Sequence, residues 1–192
     1  MLSLKGTKTE QNLIKAFTGE SQASLRYTNA ALQASKEGLE HIATFFENIA
    51  KQEKIHAEQY AACLDSEPPE MMIPSPAAGN TLSTEENLKN AIAGEHNEWE
   101  TIYPECARIA TEEGFIDVSQ LFINIASAEK QHEKRYLGFL KSLKDDLSPL
   151  GNDANVRWCC RNCGFVASTP TAPLVCSICK MPQDWFELLT EN

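Results

Sequence analysis

The stretch "NIASAEKQHEKRY" at residues 124–136 decides the fold, because it puts polar residues on an apolar helical stripe. Around it, apolar residues recur at intervals of three and four from Val118 to Leu143, which predicts one amphipathic helix. Glu129 and His132 fall on that stripe and not on the opposite face. Because an unpaired carboxylate is costly to bury, this helix is expected to have a cation at its inner face.

A second copy of the pattern lies earlier in the chain. The segment "IAKQEKIHAEQY" (49–60) matches "IASAEKQHEKRY" (125–136) at an offset of 76 residues. "GES" (19–21) matches "GEH" (94–96) at an offset of 75 residues. The chain is therefore expected to contain two related helical hairpins whose polar residues face one another inside one bundle.

Four long helical patterns fill residues 8–146. Apolar spacing, with capping signals at Thr7 and Ser83, predicts helices at about 8–36, 39–64, 83–114 and 116–146. Pro104 lies inside the third pattern and should kink it or force a local bulge. The segment between the second and third patterns is rich in proline and glycine and forms a long crossover. The prediction is an all-α four-helix bundle with one long crossover.

The polar residues on the four stripes form a candidate site for two divalent metal ions. One glutamate from each of two helices and a Glu-x-x-His pair from each of the other two is the arrangement of di-iron carboxylate bundles. Carboxylate and imidazole ligands suit iron or manganese. The candidate ligands are Glu20, Glu53, His56, Glu95, Glu98, Glu129 and His132. Glu98 breaks the repeat, in which its counterpart is Ala23. His41 and His96 lack such partners and are not expected to bind metal.

The end of the chain carries a different metal motif. "CRNC" and "CSIC" supply four cysteines with twelve residues between the pairs: Cys160, Cys163, Cys176 and Cys179. They predict one tetrahedral ion, either zinc or iron, and the spacing does not choose between them. A region this small cannot fold on an apolar core alone. The predicted organisation is a bundle over 1–147, a linker over 148–156 and a metal-binding domain over 157–192. Cys159 has no evident role.

Charge and composition exclude several function classes. A net charge of −10 over 192 residues argues against nucleic-acid binding through a basic face. No apolar run is long enough for a transmembrane helix, and no signal-peptide core is evident, so a cytoplasmic location is expected. No G-x-G-x-x-G motif follows a strand, so the chain is not expected to bind a nicotinamide cofactor itself.

The motifs together give the chain a specific resemblance. "GESQASLRY", "KQEKIHAEQY", "GEHNEW", "SAEKQHEKRY" and "CRNCG…CSIC…WFELL" occur in the order found in rubrerythrins, and the chain resembles that family over nearly its whole length. The resemblance implies a ferritin-like di-iron bundle joined to a C-terminal rubredoxin-like iron domain. It also suggests a homodimer in which the rubredoxin-type iron lies near the partner chain's di-iron site.

The resemblance further assigns roles to single residues. It implies bridging ligands Glu53 and Glu129, terminal ligands Glu20 and Glu95, a fixed ligand His132, and a rubredoxin-type iron on Cys160, Cys163, Cys176 and Cys179. His56 and Glu98 would alternate on one iron as its oxidation state changes. Tyr27 and Tyr103 resemble the family's tyrosines near the site, and ordinary core tyrosines are the alternative.

The implied activity is that of a non-haem di-iron peroxidase. It would reduce hydrogen peroxide to water with electrons from NADH, delivered through a rubredoxin or a flavoprotein reductase and the rubredoxin-like iron. Two adjacent ferrous ions supply both electrons at once, which avoids release of hydroxyl radical. One alternative is a ferroxidase or iron-storage protein, which would not need the cysteine domain as an electron inlet. The other is a metal-binding or sensor protein whose cysteine site holds zinc.

Overall fold

The computed structural model describes residues 3–65, 82–145, 157–169 and 171–189. Its helices are α1 (Lys8–Lys36), α2 (Glu40–Ala62), α3 (Thr84–Asn97), a π-helix (Glu98–Ile102), α4 (Tyr103–Glu112) and α5 (Ile116–Asp145). The predicted four-helix pattern is confirmed, because α3, the π-helix and α4 run on continuously as the third predicted helix. Most of the predicted crossover and all of the predicted linker lie outside the described residues. Within the described ranges, no helix is both long and apolar enough to cross a membrane.

The same short turn joins α1 to α2 and α4 to α5. The Leu39 N–H donates to the Ala34 carbonyl (2.9 Å), and the Phe115 N–H donates to the Ala110 carbonyl (2.8 Å). Each donor follows a glycine with a positive φ, 77° in the first turn and 86° in the second. Such bonds satisfy carbonyls that the helix end would otherwise leave unpaired. The repeat seen in the sequence is therefore also a repeat of the backbone.

The predicted distortion at Pro104 takes the form of the π-helix, which ends two residues before the proline. Proline has no N–H to donate and its ring crowds the preceding turn, so the regular hydrogen-bond ladder cannot continue through it. Trp99 ties this segment to α5, because its Nε1–H donates to Glu133 Oε2 (2.5 Å). The π-helix therefore fixes the position of its first residue, Glu98, relative to α5.

Two apolar clusters fill the bundle, and the polar candidate residues lie between them. On α2, Ile49 of one cluster precedes Glu53, and Tyr60 of the other cluster follows His56. On the other helices, too, the apolar residues before the polar site belong to one cluster and those after it belong to the other. The polar site is thus at mid-bundle, with apolar side chains on both sides of it along the bundle axis.

The four-cysteine region has three short antiparallel strands in the order β2-β1-β3. They are β1 (Trp158–Cys160), β2 (Val166–Ala167) and β3 (Phe186–Leu188). Ile178 and Phe186 of this region share an apolar cluster with Tyr60 and Phe122 of the bundle. In this structure the region contacts the bundle of its own chain, whereas the resemblance suggested a contact with a second copy.

Candidate metal centres

Glu53 and Glu129 lie between two histidines at the centre of the bundle. Glu53 has Oε2 at 3.0 Å from His56 Nδ1 and Oε1 at 3.0 Å from His132 Nδ1. Glu129 has Oε1 at 2.9 Å from His56 Nδ1 and Oε2 at 2.8 Å from His132 Nδ1. Each carboxylate therefore presents one oxygen to each histidine, as a ligand that bridges two ions would.

Two groups of four buried residues could each hold a metal ion, since their ligand atoms lie within 4.8 Å of one another. The first group is Glu20, Glu53, His56 and Glu129, and the second is Glu53, Glu95, Glu129 and His132. The groups share Glu53 and Glu129 and differ in one glutamate and one histidine. They therefore define two adjacent ion positions, and they bring together six of the seven predicted ligands.

Several buried ligand atoms have no hydrogen-bond partner among the described residues. They are Glu20 Oε2, Glu53 Oε1, Glu95 Oε2, both Glu129 oxygens and His132 Nδ1. Of these, the Glu53 and Glu129 oxygens lie within 3.0 Å of a histidine Nδ1 but form no hydrogen bond with it. Buried polar atoms normally have a hydrogen-bond partner, because a polar atom that is transferred out of water without a new partner costs free energy. Divalent cations would satisfy these atoms. In the described chain, four other buried polar atoms also have no partner, on Asn12, Tyr60, Thr84 and Tyr136, but none of them is a carboxylate or an imidazole. The donor set of carboxylate and imidazole therefore fits a pair of ions such as iron.

The buried charges conflict when no cation is bound. Burial, reinforced by the nearby Glu53, raises the pKa of Glu95 to about 8. Burial and the carboxylate of Glu129 also raise the pKa of Glu20. Burial alone would lower the pKa of His56, but Glu129 and Glu53 outweigh it and raise the pKa to about 10. Protons therefore occupy this cluster at neutral pH, and a metal ion must displace them.

The outer nitrogen of each histidine also has a partner. His132 Nε2 lies 2.9 Å from Gln52 Oε1, and His56 Nε2 lies 2.9 Å from the carbonyl oxygen of Cys163. A carbonyl oxygen only accepts, so each ring donates its Nε2–H and turns Nδ1 towards the carboxylates. Sequence reasoning missed Gln52. Its signal was a break in the internal repeat, where Ala128 occupies the corresponding position.

The structure brings Tyr27 and Tyr103 to the site. The Tyr27 hydroxyl donates to Glu95 Oε1 and the Tyr103 hydroxyl donates to Glu20 Oε1, each at 2.5 Å. Both acceptors are the glutamates that belong to only one of the two groups. Each tyrosine thereby fixes one oxygen of its glutamate and leaves the other available to an ion.

Glu98 belongs to neither group within the described chain. Burial raises its pKa, with a further contribution from Glu95 and Glu129. Its charge also helps to raise the pKa of Glu20, so it acts on the site electrostatically. In this structure His56, and not Glu98, belongs to the first group of candidate ligands, and the alternation of His56 with Glu98 stays a prediction.

The two histidines expected not to bind metal lie elsewhere in the described structure. His96 is exposed and its Nδ1 lies 3.0 Å from Glu133 Oε1. The ring of His41 lies on the surface against Phe139, with 5.9 Å between ring centres. Neither histidine belongs to a group of potential metal ligands in the described part of the chain.

The four cysteines form a second candidate centre. Cys160 and Cys179 have their sulfur atoms 3.6 Å apart, and Cys163 and Cys176 have theirs 3.5 Å apart. A disulfide requires about 2.05 Å, and no cysteine in the described ranges forms one. Sulfurs placed tetrahedrally at about 2.3 Å from one metal lie roughly 3.8 Å apart. The four buried thiols therefore fit a single tetrahedral ion, and the neighbouring Cys159 lies outside their group.

Comparison with known proteins gives one consistent result. The family model described as rubrerythrin matches residues 11–140, and the model described as its rubredoxin-like domain matches residues 158–187. The rubrerythrin of Porphyromonas gingivalis is 44% identical over 99% of this chain and 94% of its own length. The rubrerythrin of Nitratidesulfovibrio vulgaris is 42% identical over all of both chains. A solved structure of fully reduced, all-ferrous nigerythrin has a TM-score of 0.71 and 30% identity, and the match covers 97% of this chain and 91% of that chain.

Removing a carboxylate that both groups share should weaken the binding of both ions, whereas removing a carboxylate that belongs to one group should weaken the binding of one ion. We expect Glu53→Ala to lower bundle-bound iron from about two ions to fewer than one, with at least a hundredfold loss of affinity, because outer partners alone contribute about 10–100-fold. Glu20→Ala should retain about one ion. The measurement is the number of iron ions bound per chain, from which the ion at the cysteine site is subtracted. Glu58→Ala is the control, since Glu58 lies exposed on the same helix. Two ions in Glu53→Ala would contradict the shared geometry.

Metal binding should release protons and strengthen as the pH rises from 6 to 8. At pH 7 the pKa values of Glu95, about 8, and His56, about 10, both lie above the pH, so the metal-free site holds protons on both groups. Loading two ions should release at least about two protons, because the pKa values of the candidate ligands Glu20 and His132 are raised as well, and the apparent affinity should rise at least roughly a hundredfold per pH unit. Calorimetric titration with Mn²⁺, in two buffers of different ionisation heat, counts the protons. Equal heats in both buffers would exclude this release.

Proposed function

The chain belongs to the rubrerythrin family, and from that premise we propose that it is a non-haem di-iron peroxidase. Its substrate is hydrogen peroxide, its products are two waters, and its electrons originate from NADH. Membership of this family implies a di-iron carboxylate site and a four-cysteine metal site, and the structure has a matching cluster for each. What is proposed beyond this is the reaction, the role of each residue and the source of the electrons.

One observation carries the proposal: the hydrogen bond of 2.9 Å from His56 Nε2–H to the carbonyl oxygen of Cys163. Cys163 belongs to the four-cysteine group, and His56 belongs to the first carboxylate group. A single hydrogen bond therefore joins a ligand residue of one metal site to a ligand residue of the other. A protein that only stored iron would have no use for this connection, whereas a peroxidase needs electrons returned to its reactive site.

When bound, two ferrous ions supply the two electrons that convert one peroxide and two protons into two waters, and an iron on the thiolates restores them singly. Glu53 and Glu129 would hold both ions, Glu20 and Glu95 would each hold one as terminal ligands, and His132 would hold one ion. The hydroxyl groups of Tyr27 and Tyr103 orient the terminal glutamates. This leaves the chain to position ligands, to exclude bulk water and to deliver protons.

Glu98 is the residue whose environment suits a change of ligand. Burial, reinforced by the charges of Glu95 and Glu129, raises the pKa of Glu98 well above its usual range, so its carboxyl binds a proton more readily than that of an ordinary glutamate. As a ligand of a bound ion, Glu98 would exchange with His56, and its carboxyl would give up its proton on binding. The π-helix places Glu98 beside the cluster, where a regular helix in the other hairpin carries only Ala23.

Ferroxidase activity is the second candidate function, because the same bundle chemistry oxidises iron(II). Sustained iron(II) oxidation with mineral growth, and no reductant-driven consumption of peroxide, would favour it over the peroxidase. A colourless protein with one zinc per chain would favour the sensor alternative instead. The contact between His56 and the cysteine region supports the peroxidase over both.

Partners and assembly are also part of the proposal. A rubredoxin or a flavoprotein reductase passes electrons from NADH to the cysteine site, and the chain works in the cytoplasm as a homodimer. Two copies could exchange cysteine regions while keeping the contact between His56 and Cys163. Light scattering tests the dimer, and a monomer with full peroxide turnover would contradict it.

His56→Ala and Glu98→Ala should each slow peroxide turnover by about tenfold or more without unfolding the bundle, because each removes one of two alternating ligands. The measurement is peroxide-dependent NADH oxidation without oxygen, with a flavoprotein reductase and rubredoxin supplied. Circular dichroism verifies the fold. His41→Ala is the matched control, since His41 is an exposed histidine on the same helix as His56. If both variants kept wild-type turnover, the alternation of ligands would be ruled out.

A further inference from the structure

Gly164 is in unusually close contact with the bundle. A Cβ atom on this residue would lie 2.5 Å from Gln52 Oε1 and 2.8 Å from His132 Nε2. Real Cβ atoms essentially never come so close to other heavy atoms. At Gly38, which has a similar φ of 77°, a Cβ would meet nothing within 4 Å. The tight space at Gly164 is therefore specific to the surface where the cysteine region meets α2 and α5.

The second cysteine turn shows that the turn itself does not require glycine. In the first turn the Gly164 N–H donates to the Cys160 carbonyl (2.9 Å), and in the second the Lys180 N–H donates to the Cys176 carbonyl (3.1 Å). The two residues have similar positive φ values, 75° for Gly164 and 59° for Lys180. A lysine thus occupies the equivalent position at the exposed turn, at the modest cost of a left-handed conformation. What excludes a side chain at Gly164 is the bundle.

Gln52 is the matching element on the bundle. Its side chain is 7% exposed, and its Oε1 accepts the His132 Nε2–H while it packs against Gly164. One residue earlier, the Cys163 carbonyl accepts the Nε2–H of His56. The two imidazole rings stack with their planes 19° apart and their centres 5.8 Å apart. Consecutive residues of one cysteine turn therefore lie against the two site histidines.

We propose that Gly164 and Gln52 form the contact that seats the cysteine turn on the histidine pair. The absence of a side chain at Gly164 allows the Cys163 carbonyl to reach His56. Gln52 supplies the surface that Gly164 meets and holds the His132 ring in place. Both are positioning residues, and neither binds metal. This inference rests on the proposed function only for its kinetic consequence, because the contact itself can be measured without peroxide.

The first test measures the contact in the full chain loaded with zinc at all sites, where NMR detects the histidine Nε2–H protons. In the wild type the His56 proton should exchange slowly with water. We expect Gly164→Ala and Gly164→Asn to speed this exchange about tenfold, the factor that corresponds to about 1.4 kcal/mol, because the bond to Cys163 is lost. Asparagine tolerates a positive φ better than alanine, so Gly164→Asn tests the clash with less strain in the turn.

Matched controls separate the clash from the turn. Lys180→Ala and Lys180→Asn place the same side chains in the equivalent turn away from the bundle, and they should leave the exchange unchanged. Adding Gln52→Ala to Gly164→Ala should recover part of the protection, since it removes the nearest atom that the new Cβ meets. Zinc content per chain verifies that the cysteine site still forms.

The second test uses iron-loaded, reduced protein, in which the ferric-tetrathiolate absorbance reports electron loss from the cysteine site after peroxide is added. Gly164→Ala should slow this oxidation about tenfold while the spectrum of the cysteine site stays unchanged. Unaltered proton exchange in both Gly164 variants, with the zinc site intact, would overturn the proposal. Faster exchange together with no reaction of the wild type with peroxide would retain the contact and remove the peroxidase function.

Discussion

Carboxylates buried at the centre of an apolar bundle need cations, and this requirement shapes the rest of the molecule. Six candidate ligand residues meet between two apolar clusters, and several of their polar atoms have no hydrogen-bond partner among the described residues. Side chains so placed cannot be stabilised by packing, because removing charge from water without a counter-charge is unfavourable. Two ions that share Glu53 and Glu129 resolve the conflict. The site therefore contributes to the stability of the bundle as well as to its chemistry.

The two hairpins are nearly equivalent, and their differences indicate where function enters. The same turn joins the two helices of each hairpin, and each hairpin supplies one Glu-x-x-His pair. Glu98 and Gln52 have alanines at the corresponding positions of the other hairpin. Glu98 stands on the π-helix beside the cluster, and Gln52 lies where the cysteine region meets the bundle. The repeat gives both halves of the candidate site the same Glu-x-x-His pair, and these two departures make the halves different, with Gln52 on the side that faces the cysteine region.

Much of this was predictable from the sequence, because helical periodicity and the internal repeat together place polar residues on buried stripes. They identified all six residues that the structure gathers into two groups, and the paired CxxC motifs identified the four thiols. Pro104 predicted a distortion but not its form, since a proline permits either a kink or a bulge. Gln52 and the docking of Gly164 were missed. The bond from His56 to Cys163 spans 107 positions of sequence, and no local pattern encodes such a contact.

The most direct measurement is a visible absorption series on iron-loaded protein. The protein is reduced without oxygen, its spectrum is recorded, one equivalent of hydrogen peroxide is added and the spectrum is recorded again. We predict rapid return of the red ferric-tetrathiolate colour, because peroxide takes electrons at the carboxylate site and the cysteine site replaces them. A cysteine site that binds iron but stays reduced after peroxide would contradict the connection between the two centres, and a protein colourless at every stage would contradict the iron assignment itself.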